Sequence, residues 1–155
     1  MSITKYKPLA PSLTLLWEAV IDVGEGQELG VGPTGPRRMV PILGGTFRGG
    51  PDYPDLQGQV LPGGADRQVR RLDGARELDA LYEMRAQDGS IMTVRNRVLI
   101  DQPAEGTRYA VSHLVVTAPE GRWAWLNKRV ILGTMQSAKP ERSAVVIWAW
   151  ATQTA

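Results

Sequence analysis

The feature that most constrains this chain is its alternation. Runs of about seven to eleven residues switch between apolar and polar at nearly every position, and each run stops at a Gly, Pro or Asp-Gly break. That is the pattern of half-buried strands, not helices. The clearest pair is Glu77–Ala86, where Leu78, Ala80, Tyr82 and Met84 point one way, and Ile91–Ile100, where Met92, Val94, Val98 and Ile100 share a face. Gln87-Asp88-Gly89 between them carries the Asp-Gly chemistry of a tight hairpin, which needs positive φ angles. Further strands are predicted over Ser12–Asp22, Arg37–Phe47, Leu56–Leu61, Arg67–Leu72, Tyr109–Thr117, Trp125–Thr134 and Ala144–Ala151, with Gly24–Gly35 a turn-rich stretch. No window holds an i, i+3, i+4, i+7 apolar stripe. Arg67–Tyr82 comes nearest, but Gly74 interrupts it. Some eight to ten short strands joined by short turns describe a β-sandwich or barrel.

The chain of 155 residues is long enough to bury a core without staples and short enough for one domain, residues 1–155. It has no cysteine, which excludes a thiolate nucleophile, a thiolate metal site and a disulfide framework. It has one histidine, His113, so a His-rich metal site within one subunit is excluded too. His113 alternates with Val111 and Val115 and reads as a half-buried histidine more readily than as a base. Lys and Arg total 18 against 16 acids, a net charge of +2, with arginines scattered in pairs beside acids. This is not the gathered basic excess of a nucleic-acid binder. Neither a secretory signal nor an apolar run of membrane-spanning length is present, so the expectation is a cytoplasmic protein without membrane contact. Gly24–Gly35 has no Lys-Ser or Lys-Thr ending and is not a phosphate loop. No metal or cofactor is expected.

Within this frame a few residues stand out. Asn96 shares the apolar face of Met92, Val94 and Val98. A buried amide without a partner costs on the order of 1–3 kcal/mol, so Asn96 needs backbone groups across the sheet, or a ligand or a water inside the barrel. Arg95 and Arg97 face the other way on this register, solvated or paired with acids such as Glu83 or Asp79. A bulge would exchange these faces. Gly44-Gly45-Thr46-Phe47 follows an apolar run and marks a bulge, a barrel corner or room for a ligand. Asp66 follows the turn Pro62-Gly63-Gly64 and either binds that turn's backbone or projects a carboxylate into a cavity. Trp125 and Asn127 repeat the theme of an amide two residues beyond an aromatic. Five Trp against one Phe is unusual, and a ring lining a cavity or a subunit interface stands beside plain core packing.

These motifs, in this order, resemble a family of bacterial and fungal proteins known as domain of unknown function 3237 (uncharacterised protein family 0311). The matching stretches are Ile21-Asp22-Val23-Gly24, Arg37–Ile42, Gly44–Phe47, Gly58–Asp66, Asp88-Gly89, Val94–Arg97 and Trp123–Asn127. The resemblance implies a closed antiparallel β-barrel of about eight strands, calycin-like and similar to allene oxide cyclase, with a central cavity and homo-oligomeric assembly. The chain departs from the family pattern at Arg67, where Trp often follows Ala-Asp, and in a short link between Ile100 and Tyr109.

Two functions fit. One is a cofactor-independent isomerase, cyclase or lyase acting on a small carbonyl-type metabolite. Asp66 would be its acid/base and Asn96 the polariser, with Arg97, Tyr82 and Asn127 as orienting groups and Gly45, Phe47 and Trp125 shaping the ligand site. The other is a non-catalytic, lipocalin-like barrel for an apolar or aromatic ligand, lined by Trp, Met and Leu. In both, the partner is a small organic molecule.

Overall fold

The structure, a computed structural model, describes residues 3–154. Ten strands follow in chain order: β1 (Ser12–Val23), β2 (Gln27–Gly32), β3 (Gly35–Gly49), β4 (Gly58–Val60), β5 (Ala65–Arg70), β6 (Arg76–Ala86), β7 (Ile91–Asp101), β8 (Tyr109–Thr117), β9 (Ile131–Ser137) and β10 (Ala144–Gln153). A short 3-10 turn, Ala124–Lys128, precedes β9. All pairings are antiparallel, and β1 pairs both β10 and β3, which closes the sheet. The short strands β4 and β5 share the place between β3 and β6, so the ring has eight staves, with β2 folded back along β3 as a flap. The expected closed antiparallel barrel of eight strands is what the chain forms.

Closure needs the sheet to bend, and two irregularities supply this. On β1 the register skips Leu16 between Leu15 and Trp17, so two adjacent residues, Leu16 and Trp17, both turn inward. On β3 the register against β1 skips Leu43, at the double glycine. Gly45 has φ +143°, and a Cβ there would lie 2.1 Å from the Val20 carbonyl oxygen. The glycine lets β3 lie against β1 at a corner of the barrel.

The two ends of the barrel differ. One is packed solid by Leu16, Trp17, Phe47, Leu56, Met84, Met92, Val94 and Leu126, all at 4 % exposure or less. Trp17 and Phe47 meet edge to face with centroids 6.3 Å apart. Each fully buried side chain of this size contributes roughly 1.5–3 kcal/mol. At the other end a smaller cluster, Leu78, Val98 and Ile100, lines the wall without filling the bore.

Two elements and one residue differ from the alternation-based expectation. Residues 27–32 are a strand, but an edge flap exposed along most of its length, so no apolar alternation marks it. The strand expected at Trp125–Thr134 starts only at Ile131. Before it the chain makes a 3-10 turn, anchored by Leu126 N–H donating to the Trp123 carbonyl at 3.0 Å. Trp123 and Leu126 thereby bury together at a spacing of three. His113 sits on the outer face, exposed, not half-buried.

Gly45→Ala is expected to lower stability by more than about 1 kcal/mol, because both the φ angle and the Val20 carbonyl oppose a Cβ. Urea denaturation checks this, and a loss under about 0.5 kcal/mol would contradict the corner assignment.

Candidate functional site

Strand register builds the site. Asp66 on β5 pairs with Ala80 on β6, and Ala80 pairs with Asn96 on β7, so the three residues form one row across the barrel wall. With strands about 4.8 Å apart, the Asp66 and Asn96 backbones lie roughly 10 Å from each other. The small Ala80 between them leaves that gap open. Tyr82, two residues further along β6, points inward one layer deeper. All four line a cavity of about 240 Å³ in the open half of the barrel. Its walls are apolar, formed by Ile21, Val40, Ile42, Leu78, Val98 and Ile147 among others.

The polar atoms on this floor are buried and unpaired. Asp66 Oδ1, Tyr82 Oη and Asn96 Oδ1 are sealed from solvent and have no hydrogen-bond partner among the described residues. Natural interiors seldom leave such groups unsatisfied, since each costs about 1–3 kcal/mol. The second carboxylate oxygen, Asp66 Oδ2, accepts a hydrogen bond from Gln68 Nε2 at 2.8 Å, and Gln68 Oε1 accepts one from Arg76 at 3.0 Å. Burial raises the Asp66 pKa above the ordinary carboxylate value, against the opposing pull of Gln68 and the Arg76 charge. Burial, then the Asp66 carboxylate, pushes the Tyr82 phenol far above its usual value, so it remains a hydrogen-bond donor.

Asp66, Tyr82 and Asn96 therefore converge. The other expected site residues do not join them. Arg97 lies on the outer face with its side chain 62 % exposed, 3.8 Å from Asp79, whose carboxylate is already held by Arg95 at 2.8 Å. An inward Asn96 requires an outward Arg97, since neighbours on a strand face opposite ways. Gly45 is the barrel corner and Phe47 belongs to the packed end, so neither borders the cavity. Trp125 packs on Tyr53 with centroids 5.4 Å apart, against the core cluster and away from the cavity lining. Asn127 is a structural amide. It donates to the Ala118 carbonyl at 2.9 Å and accepts from the Ala118 N–H at 2.6 Å, clamping the 3-10 turn to the end of β8. None of the five tryptophans borders the cavity. Trp148 and Trp150 face outward, where their indole N–H groups donate to Glu18 at 2.8 Å and Thr134 at 3.2 Å.

Several polar lining residues escaped the sequence reading: Gln68, Arg38, Arg76, Arg108 and Lys139. Arg76 carries a signal that could have found it, because it shares the period-2 face of Leu78, Ala80 and Tyr82. Burial first, and then the charges of Arg70 and Arg108, lower its pKa below the usual arginine value.

Fold and site together define a class: a closed antiparallel barrel, solid at one end and holding a ligand-sized cavity with a polar floor at the other. A family model described as a protein of unknown function (DUF3237) matches residues 11–152. The chain belongs to that family. A UPF0311 protein from Rhodopseudomonas palustris is 43 % identical over 75 residues, covering 48 % of this chain and 44 % of the relative. One from Clostridium acetobutylicum is 33 % identical over 94 residues, covering 61 % and 54 %. These matches thus span about half the length of the curated relatives. The crystal structure of a conserved protein of unknown function from R. palustris superimposes with a TM-score of 0.82 at 25 % identity, over 96 % of this chain and all of that one. A β-barrel-like protein from Acinetobacter baumannii gives 0.84 at 24 %, with the same coverage. A structure described as an enzyme from Penicillium herquei gives 0.74 at 20 % over 97 % of this chain and all of that one, a likeness of fold alone.

The buried carboxyl makes a prediction about stability. A raised folded-state pKa means that the folded chain binds the Asp66 proton more tightly than the unfolded chain does. Stability from this site is then fully present below the unfolded pKa and lost as pH rises through the folded one. Asp66→Asn, which mimics the protonated acid, is expected to raise Tm at pH 7, by about 2–4 °C for each kcal/mol relieved. The gain should shrink toward zero below the ordinary carboxylate range. Thermal denaturation across pH checks this. A lower Tm for the variant at neutral pH would mean that the ionised carboxylate stabilises the fold.

Proposed function

We propose that this barrel is a cofactor-independent enzyme of the isomerase, cyclase or lyase type, acting on a small carbonyl-containing organic molecule. The observation that carries the reading is the convergence of Asp66 Oδ1, Tyr82 Oη and Asn96 Oδ1, all buried and unpartnered, on one small cavity. A carboxyl with a raised pKa, in an apolar cavity beside a neutral phenol, is the arrangement that general acid–base chemistry on a carbonyl compound uses.

In this reading the Tyr82 hydroxyl donates to the substrate's carbonyl oxygen, and the Asn96 amide offers a second polar contact. Ionised Asp66 removes the proton from the adjacent carbon. The electron pair moves onto the oxygen, where the developing negative charge meets the Tyr82 donor in a water-poor site. Asp66, now protonated, returns the proton at a different atom for an isomerisation or ring closure, or to a leaving group for an elimination. Gln68, held by Arg76, fixes the carboxyl's orientation. The apolar walls also suit a second reading, a non-catalytic carrier for an apolar ligand, in which the floor serves orientation only.

Hydrogen exchange separates the two. A set of cyclic and aryl ketones, incubated with the protein in D2O, is followed by proton NMR for loss of the α-proton signal. Catalysed exchange of at least one member is expected, falling at least about 100-fold in Asp66→Asn. Binding seen as ligand line broadening should persist in that variant. Binding without any exchange above the buffer rate, or equal exchange by both proteins, would favour the carrier.

A further inference from the structure

Resting on that assignment of the cavity as the ligand site, we propose that the ligand is an organic anion whose carboxylate or phosphate is held at the cavity mouth, above the Asp66–Tyr82–Asn96 floor. The mouth is cationic. Arg38 from β3, Arg76 from β6, Arg108 from the β7–β8 link and Lys139 from the β9–β10 link all border the cavity, against a single lining carboxylate among the described residues, Asp66. Four separate segments thus bring positive charge to one opening.

These cations are poorly matched by the protein itself. Arg38 lies 3.5 Å from the exposed Glu28, and Arg76 donates to the neutral Gln68. Arg76, Arg108 and Lys139 have no carboxylate within 4.0 Å among the described residues. On the outer surface, by contrast, Arg95, Arg122 and Arg142 reach Asp79, Asp55 and Asp22 at 2.8, 2.6 and 2.7 Å. Like charges gathered at one opening repel unless a counter-charge enters, and guanidinium groups fit carboxylate and phosphate oxygens in paired hydrogen bonds.

Register places this charge at a defined depth. Arg76 pairs with Ile100 at the top, Leu78 with Val98 below it, and Ala80 with Asn96 below that. On β6 and β7 the apolar pair Leu78 and Val98 lies between Arg76 and the floor, while Gln68 and Arg38 occupy that same row on β5 and β3. Arg76 stands four residues, roughly 13 Å of strand, above Ala80. The cavity thus offers cations on its Arg38 and Arg76 side above a polar floor, so that an organic anion can present its oxyanion to the first and a carbonyl or hydroxyl to the second. A neutral apolar metabolite would leave the rim unmatched.

The test uses 4-oxo-4-phenylbutanoate, its methyl ester, phenyl phosphate and inorganic phosphate, titrated by calorimetry into the full chain and into a variant carrying Arg108→Ala and Lys139→Ala. Both substituted residues are exposed, outside the strands and absent from the proton-transfer machinery, and circular dichroism is used to check that the variant folds. At least one organic anion is expected to bind at least about tenfold more tightly than the ester. The double substitution should weaken it by a similar factor and leave the ester unchanged. The preference between the keto acid and phenyl phosphate identifies the oxyanion. Equal binding of acid and ester, an undiminished affinity in the variant, no binding of either organic anion, or inorganic phosphate binding as tightly as both would each overturn the proposal. Its failure is distinguishable from failure of the enzyme reading. Neutral ketones that exchange protons through Asp66 while anions fail to bind sink this inference alone. Anions that bind through Arg108 and Lys139 without proton exchange sink the other alone.

Discussion

Register in a closed sheet is the constraint on which everything else here depends. Each stave pairs with neighbours on both sides, so none can slip by one residue without turning its inward side chains out. The β5–β6–β7 pairing sets Asp66, Ala80 and Asn96 in one row and stacks Tyr82 beneath them and Leu78 and Arg76 above. The same pairing turns Arg95, Arg97 and Asp79 outward, where they meet as surface ion pairs. A one-residue shift of β7 would bury two arginines and expose Asn96.

The barrel divides stability and chemistry between its ends. The packed end holds most of the large buried side chains, the 3-10 turn and the Asn127 clamp. At the packed end Trp17 leaves a buried indole N–H unpartnered, while the open end carries a buried carboxyl, an unpaired phenol, an unpaired amide and a rim of cations of which only Arg38 has a carboxylate partner among the described residues. Such features oppose folding and are tolerated because the other end supplies the surplus. The bulge at Leu16 interrupts the β1–β10 register and the irregularity at the double glycine interrupts the β1–β3 register, so both lie along the strand that closes the ring.

Much of this was legible in the residues. Alternation in Glu77–Ala86 and Ile91–Ile100 put Tyr82 and Asn96 on inward faces, because an inward polar residue breaks an otherwise apolar register visibly. Asp66 was marked by the turn before it. The rim was not legible: no local pattern marks Arg38, Arg108 or Lys139, since nothing local shows that four distant segments meet at one mouth. Arg97 was read in two ways, as an outward residue and as an orienting group, and the register admits only the first. The segment from Trp123 to Asn127 misled because aromatics two apart imitate a strand, while the spacing that matters there, Trp123 to Leu126, is that of a 3-10 turn. The exposed flap Gln27–Gly32 left no alternation to find.

The account stands or falls on Asp66 being a carboxyl that its surroundings keep partly reluctant to ionise. Carbon-13 NMR titration of the aspartate side-chain carboxyls, with Asp66 assigned by comparison with Asp66→Asn, measures this directly. Asp66 is predicted to titrate above the ordinary carboxylate range, while Asp22 and Asp79, held by Arg142 and Arg95, titrate below it. An Asp66 that titrates together with those ion-paired surface carboxylates would contradict the central claim.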